Sequence, residues 1–227
     1  VSRFFIFYIN TTNVTDIITG SSGTDPEIRL ERIVSVLPAS NSPPAGFYTF
    51  ALPRPSPDSP SQIIPGGEGF GTGTLDGRGT LRLYGTLGDG TAFSAIASMT
   101  RLRNWALHVV LFGGRGNLAG WINSPTNQPG NLEGSLQWLK AQVASVATYP
   151  AGFTNTLDFL ASPYKPPAKG ARALNWVNGL TEITGADVLV GLTNQVKLVT
   201  NNTFTFLDAN PSALKVTFDP RSALVQG

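Results

Sequence analysis

The sequence predicts an all-β fold of antiparallel sheets, forming two closely packed halves that are each a β-sandwich or barrel-like. Apolar and polar residues alternate with a period of two in many short segments, and glycine or proline clusters separate these segments. Charged residues make up only 13% of the chain. The alternation is clearest where Leu81, Leu83 and Leu87 share one side of a strand, so one face of that sheet is expected to be buried.

The N-terminal extension, residues 1–42, begins with an unbroken run of strand-forming residues: Phe4, Phe5, Ile6, Phe7, Tyr8 and Ile9. The run carries no charge and no proline, so an exposed strand of this kind would template aggregation and must be covered. It is either a core strand of its own chain or a strand inserted into a neighbouring subunit. Residues 27–37 fit neither period clearly, and we interpret them as a strand or an irregular segment.

The first β module is predicted over residues 43–146. Prolines between residues 53 and 65 interrupt any ladder and indicate a surface loop. The glycines between residues 66 and 73 indicate a bulge or a close backbone approach, because neither a helix nor a lysine follows them to hold a phosphate. Further strands are expected at 105–111, 118–122 and 132–138, and a helical turn at 138–146.

The second β module is predicted over residues 147–227. Its expected strands are residues 157–160, 173–177, 187–190, 196–199, 204–207 and 214–218. The segment from Thr217 to Arg221 echoes the segment from Thr74 to Arg78, with a leucine three residues after each arginine. This echo indicates two related halves, of which the second is expected to lack its closing strands.

Several spaced glycine and aromatic motifs occur in order along the chain: Gly69 to Leu75, Gly85 to Thr91, Leu111 to Gly116, Gly120-Trp121 and Tyr149 to Thr154. Together they resemble a β-rich module near the C-termini of large, repeat-containing secreted or surface proteins of Verrucomicrobia-type bacteria. The resemblance covers residues 43–227. The resemblance implies a setting outside the cell. It gives no indication of an activity or of catalytic residues. In that family the pattern matching residues 214–227 usually continues into further strands.

Composition narrows the partners that we expect. The 16 basic and 14 acidic residues are scattered singly and leave a net charge of only +2, which argues against nucleic acid. Cysteine is absent, which excludes disulfides and thiolate chemistry. No stretch approaches the roughly 18 to 20 apolar residues that cross a bilayer as a helix, so no membrane insertion is predicted. Few charges and abundant small polar residues favour an extracellular or cell-surface location.

Candidate catalytic groups are few, and we predict no enzyme, metal or cofactor. His108 is the only histidine, and it lies on an alternating strand with no nucleophile elbow elsewhere. Asp76 and Asp89 could approach each other across a hairpin as a carboxylate pair or bind calcium. However, each precedes a glycine, and such dipeptides are typical of turns in which the aspartate caps its own backbone.

The aromatic residues offer one binding surface. The four tryptophans lie within apolar alternation, which favours packing in the core over a sugar-binding surface, and Trp176 is the one most expected to be exposed. An exposed tryptophan can stack on a sugar ring. Trp176 is therefore the candidate contact for a carbohydrate.

These observations predict a non-enzymatic extracellular structural or adhesive module whose partners are further copies or other surface proteins. A sharper hypothesis is a filament assembled by strand exchange, in which Phe4 to Ile9 of one subunit fills an open edge in the next. The expected contacts on the acceptor are Leu214, Val216, Phe218 and Leu224. The alternative is a carbohydrate-binding or accessory domain of a secreted polysaccharide-active protein.

Overall fold

The computed structural model describes residues 6–8, 17–21, 28–33, 43–53, 64–128, 130–145, 148–185, 188–210 and 213–226. The predicted all-β class is confirmed: strands dominate these residues, and their one helical element is a single 3₁₀ turn, η1 (Phe112–Gly114). The chain divides into two compact units, Val1–Pro163 and Tyr164–Gly227.

The first unit is built on an eight-stranded antiparallel sheet that forms a nearly closed barrel. Its strands are β4 (Gly46–Leu52), β5 (Gly69–Leu75), β6 (Thr80–Thr86), β7 (Ala92–Ser98), β8 (Asn104–Leu111), β9 (Gly116–Asn123), β10 (Leu132–Lys140) and β11 (Phe153–Tyr164). Each strand pairs with its neighbour in sequence from β4 to β7 and from β8 to β11, and β11 pairs with β4. Strands β7 and β8 meet through a single bridge between Met99 and Trp105. The expected helical turn at residues 138–146 was wrong, because Trp138 to Lys140 continue β10 and residues 141–145 form no helix.

The barrel interior is filled by side chains from alternate strand positions. Each strand places every second residue inside, as the sequence pattern predicted for Leu81 and Leu83. The largest fully buried side chains come from strands all around the barrel and include Tyr48, Leu52, Trp105, Leu118, Trp138 and Phe159. This core fixes the register of every strand, because a slip of one residue would turn its apolar set outward.

Glycines make room for one large ring inside this core. Gly71 and Gly85 are direct partners on β5 and β6. A Cβ at Gly85 would stand 2.6 Å from Cζ of Phe50, and a Cβ at Gly71 would meet the same atom. The Phe50 ring fills that space and packs against Phe159, with ring centroids 5.2 Å apart. The predicted close backbone approach at the glycines between residues 66 and 73 is confirmed at Gly71, where a Cβ would also meet the Tyr84 carbonyl oxygen.

A small sheet precedes the barrel in the chain. It is formed by β1 (Ile6–Tyr8), β2 (Ile17–Ser21) and β3 (Ile28–Glu31) in that order, all antiparallel. Backbone contacts join its end to the barrel, since Arg101 N–H donates to the Arg32 carbonyl at 2.8 Å. The predicted strand at residues 4–9 is therefore present at its centre. Phe4, Phe5 and Ile9 lie outside the described residues.

The second unit contains a three-stranded sheet of β12 (Asn178–Gly185), β13 (Val188–Leu198) and β14 (Phe204–Phe206). A separate hairpin is formed by β15 (Thr217–Asp219) and β16 (Leu224–Gln226). Strand β13 is continuous where two strands were expected at 187–190 and 196–199. The side chain of Asn194 does not interrupt it, because its Nδ2 finds partners in Asp208 Oδ1 and the Ala209 carbonyl at 3.2 and 2.8 Å.

Of the strands expected in the second unit, one is replaced by a loop and another is shortened, and side chains hold both segments. Residues 173–177 form no strand: the Ala173 N–H donates to Asn202 Oδ1 at 2.8 Å instead of joining a ladder. The strand expected at 214–218 begins only at Thr217, because both backbone groups of Leu214 bond the side chain of Asn210, at 2.8 and 3.0 Å. In both places an asparagine outcompetes the ladder for a backbone group.

Candidate functional site

One end of the barrel carries an open cavity of about 570 Å³. This end is formed by the turn between β6 and β7, by η1 between β8 and β9, and by the segment that follows β10. The lining residues are Asp89, Thr91, Phe112, Gly113, Arg115, Lys140, Val143 and Thr148. They contribute two cations and one carboxylate, which leaves the cavity with a net positive charge.

Lys140 is the central polar residue of this cavity. It is the last residue of β10 and points inward like Trp138, so only 8% of it is exposed. Its Nζ donates a 2.7 Å hydrogen bond to the Thr148 carbonyl oxygen. The ammonium also lies 5.0 Å from the ring centroid of Phe112 and 5.7 Å from that of Tyr149, both cation–π distances. Within the described residues no carboxylate lies close enough to pair with it.

The backbone beside Lys140 has an unusual conformation. Phe112, Gly113 and Gly114 have φ angles of 53°, 65° and 89°, all in the left-handed region. Glycine adopts this region freely, but a bulky residue such as phenylalanine does so only when its surroundings hold it there. Strain of this kind is often found where a protein positions a side chain for binding. Here it places the Phe112 ring over the ammonium.

Two further charged residues border the cavity. Arg115 follows η1, and its exposed guanidinium has no hydrogen-bond or ion-pair partner within the described part of the chain. Asp89 accepts the Thr91 N–H through Oδ1 at 2.9 Å, as expected for a turn aspartate. Its other oxygen, Oδ2, accepts no hydrogen bond from the described residues. The cavity lining therefore offers two cations to an anionic group and one carboxylate oxygen, Oδ2 of Asp89, to a hydroxyl group.

This site was not predicted from the sequence. Leu136 and Trp138 were recognised as one face of a strand, and extending that alternation by one more step places Lys140 on the buried face. The prediction of a helical turn from residue 138 hid this signal. The approach of η1 to the end of β10 depends on barrel closure and has no local signature in the sequence.

The carboxylates considered as a pair lie apart. Asp76 is in the turn before β6 and Asp89 is in the turn after it, so a strand of seven residues, roughly 23 Å long, separates them. The expectation that they could meet across a hairpin was wrong, because the two turns lie at opposite ends of the barrel. The positive φ in the first turn belongs to Gly79, at 80°, and φ of the glycine directly after Asp76 is not in that region.

Asp76 caps its own turn, as predicted. Its Oδ1 accepts the N–H groups of Thr80 and Arg78 at 3.0 and 2.9 Å, and its Oδ2 pairs with Arg82 at 3.2 Å. These contacts, the Thr80 N–H first, hold the pKa of the carboxyl below its usual range because they favour the charged form.

The echo of this turn in the second unit is also a hairpin turn. Asp219 Oδ1 accepts the Arg221 N–H at 2.9 Å, and its Oδ2 accepts the Ser222 hydroxyl at 2.7 Å. The Ser222 hydrogen bond is the main cause of a lowered pKa for Asp219. The repeated sequence therefore encodes a repeated turn.

The remaining site candidates are dispersed. His108 is exposed on β8. Trp105 and Trp138 are buried and Trp176 is 39% exposed, as expected, whereas Trp121 was expected in the core and is only half-buried. The Trp176 ring stacks on Phe204 at a centroid distance of 5.9 Å, and its six-membered ring also lies close to Gly179. Part of the indole surface is therefore covered by its own sheet.

The predicted acceptor residues for strand exchange lie at the end of the second unit. Leu214, Val216 and Leu224 are half-buried, and Phe218 is buried. Phe218 pairs with Val225 in the hairpin of β15 and β16. On the donor side, Ile6, Phe7 and Tyr8 pair with Ser21, Gly20 and Thr19 of their own chain.

No group of three or more histidine, aspartate or glutamate side chains that could hold a metal ion occurs among the described residues. Across the same residues, no helix has the length and apolar character needed to span a bilayer. Comparison with known proteins gives no match: no family model, no curated protein and no solved structure is significantly similar to this chain.

Proposed function

We propose that this chain is a non-enzymatic extracellular structural or adhesive module that associates with further copies of itself through the outer face of β4 to β7. The observation that carries the proposal is the character of this face, which spans four neighbouring strands, has one charged side chain and exposes four large apolar or aromatic side chains. Large exposed apolar patches on a folded protein are typical of interaction surfaces.

The outer face is continuous across the strands. One cross-strand row runs from Phe47 through Thr74 and Arg82 to Ile96, and the next row contains Tyr84. Phe47, Phe70, Tyr84 and Ile96 are all exposed, and Ile96 is the most exposed at 69%. The positions between them are mainly threonine, serine and alanine.

A second copy fits this face better than a charged partner does. Arg82 is the only charged side chain at the outward positions of these four strands, and Asp76 already pairs with it. A face without free charge gives no attraction to an acidic or basic surface, but two copies of it are complementary about a twofold axis.

The size of the face indicates weak association. Four strands about 4.8 Å apart and seven residues long, at about 3.4 Å per residue, cover roughly 400 Å². A standard interface buries about 800 Å² on each partner. We therefore expect reversible, concentration-dependent assembly, which suits a module that acts in many copies on a surface.

Sedimentation equilibrium of the full chain over a wide concentration range tests the proposal. We expect the average mass to rise with concentration, and Ile96→Lys to abolish the rise. Val110→Lys is the matched control, because Val110 is 63% exposed on β8, outside the four strands. A constant monomer mass in the unmodified chain, or equal loss of association in both variants, would contradict the proposal.

Strand exchange is a finer form of the same proposal. Because β1 pairs with β2 in its own chain, exchange requires the strand to leave this partner or to bind through its free edge. Deleting residues 1–10 and measuring mass by light scattering tests this form. A full-length chain that forms filaments, and a deletion that is folded and monomeric, would support it. A monomeric full-length chain, or a deletion that assembles equally well, would reject it.

A carbohydrate-binding role is the alternative, and the exposure of Trp176 favours it. The Trp176 ring packs against Phe204 and Gly179 while 39% of the residue stays exposed, and an exposed aromatic ring can offer a flat surface to a sugar. A glycan array with Trp176→Ala as control tests the alternative. Binding that the variant loses supports it, and absence of binding rejects it.

The extracellular setting is supported by the low share of charged residues and by the resemblance of residues 43–227 to modules of secreted and surface proteins. Retention of the chain in the cytoplasm of its native cell, measured by fractionation, would argue against that setting.

A further inference from the structure

We propose that the cavity at the end of the barrel binds a hydroxylated organic acid, such as a uronic acid, with its carboxylate between Lys140 and Arg115. This ligand site goes beyond the proposed self-association and does not depend on it. It shares no residue with the outer face of β4 to β7 or with Trp176.

The buried ammonium of Lys140 supports this proposal. A buried ammonium is costly unless it is paired, and removing the remaining water raises that cost. The ammonium has three N–H donors, and the Thr148 carbonyl accepts only one of them within the described residues. The other close contacts of the ammonium are the rings of Phe112 and Tyr149, so two N–H donors have no acceptor oxygen among the described residues. An incoming carboxylate would supply the missing charge and the missing acceptors.

Arg115 is the second argument. It lines the same cavity and has no partner among the described residues, so its planar group is available for a bidentate bond to a carboxylate. The strained turn from Phe112 to Gly114 directly precedes Arg115 and fixes the position of its backbone. Two cations against the single carboxylate of Asp89 leave one positive charge for a monovalent anion to neutralise.

The rest of the lining indicates hydroxyl groups on the ligand. Asp89 Oδ2 is a free acceptor within the described residues, and Thr91 adds a hydroxyl to the same wall. Phe112 and Val143 offer apolar surface, which suits the C–H face of a sugar ring. The cavity volume of about 570 Å³ lies within the usual range for small-ligand sites, about 300–1,000 Å³.

The test is an NMR titration of the full chain with glucuronate, with glucose as the neutral analogue and acetate as the minimal anion. We expect glucuronate to shift the backbone amides of Asp89, Gly113 and Arg115, to bind at least about tenfold more tightly than acetate, and glucose to leave these amides unchanged. Shifts that appear only elsewhere, equal binding of glucose, or equal binding of acetate would overturn the proposal.

Variants separate binding from folding. Arg115→Gln alters an exposed side chain and should weaken glucuronate binding about tenfold or more, because it removes a charge-assisted bond. Arg78→Gln is the matched control, since Arg78 is exposed in a turn at the opposite end of the barrel. Lys140→Met should abolish binding. If Lys140→Met unfolds, Arg115→Gln and Arg78→Gln still test the site. Equal affinity of these two variants for glucuronate would reject it.

Discussion

The indole Nε1 of Trp105 donates a 2.9 Å hydrogen bond to the carbonyl oxygen of Gly79. The same carbonyl accepts the Met99 N–H, also at 2.9 Å. Gly79 belongs to the turn between β5 and β6, whereas Met99 and Trp105 lie at the junction of β7 and β8, where the barrel has one bridge instead of a ladder. A single carbonyl thus ties the weakest seam of the barrel to the adjacent hairpin of β5 and β6.

We predict that Trp105→Phe costs about 1 kcal/mol more than Trp138→Phe in unfolding free energy measured with urea. Both tryptophans are fully buried, so both variants lose a similar ring volume. Only Trp105 loses a hydrogen bond, because Trp138 Nε1 has no partner within the described residues. Equal destabilisation of the two variants would show that the bond to Gly79 does not strengthen the seam.

The alternation of the sequence was sufficient to predict the barrel strands, because one buried face leaves a period of two in the residues. It could not predict where side chains replace a ladder. The side chains of Asn202 and Asn210 bind backbone groups in the second unit. The sequence shows that these residues are asparagines, but it does not show whether their side chains face solvent or bind the backbone. The pairing of residues 6–8 with β2 was likewise unpredictable from the run of apolar residues alone.

The candidate site could likewise be predicted from the sequence only in part. The burial of Lys140 follows from strand alternation and was within reach of sequence analysis. Its proximity to Phe112 requires the end of β10 to meet the turn between β8 and β9, and only the folded barrel brings them together. Turn chemistry was more accessible: the aspartates at positions 76, 89 and 219 each bond backbone groups that follow them.

We predict that Gly85→Ala destabilises the chain by about 1–3 kcal/mol, because the added methyl overpacks the core against the rings of Phe50 and Phe93. Combining it with Phe50→Leu should cost less than the sum of the two single changes, since the smaller side chain vacates the contested space. Urea unfolding of the four proteins gives the coupling. Gly77→Ala is the control and should be nearly neutral, as a Cβ there meets no atom within 4 Å. Strict additivity would contradict this account of the glycines.

We predict that stability falls at high pH because of Tyr48. Its hydroxyl donates to the Pro44 carbonyl at 2.8 Å, and burial raises its pKa to about 12. The unfolded chain ionises at a pKa of about 10, so the contribution of Tyr48 is complete below pH 10 and is lost as pH rises to about 12. Unfolding free energies from pH 8 to 12 should show this loss. Tyr48→Phe should remove this loss of stability at high pH, and it should lower the unfolding free energy by about 1 kcal/mol near neutral pH. Tyr84→Phe on the outer face should leave the loss at high pH unchanged.

The last prediction concerns Asn202, which organises the second unit. It lies in the hairpin between β13 and β14 with φ at 64°, a conformation that asparagine tolerates better than most residues. Its buried side chain accepts the Ala173 N–H at 2.8 Å and donates to the Ala171 carbonyl at 3.0 Å. Asn202→Gly keeps the backbone conformation accessible but removes both bonds. We expect it to raise hydrogen exchange at the Ala173 amide by at least tenfold, which NMR measures directly.

Asn202→Ala should cost about 1 kcal/mol more than Asn202→Gly, because alanine also resists the left-handed conformation. Asn201→Ala is the control: Asn201 is exposed beside it and bonds only within the turn, to Thr203. We expect this control to leave exchange at Ala173 unchanged, since no bond of Asn201 reaches the segment from Ala171 to Ala173. Unchanged protection of Ala173 in Asn202→Gly would mean that contacts other than the asparagine side chain hold that segment in place.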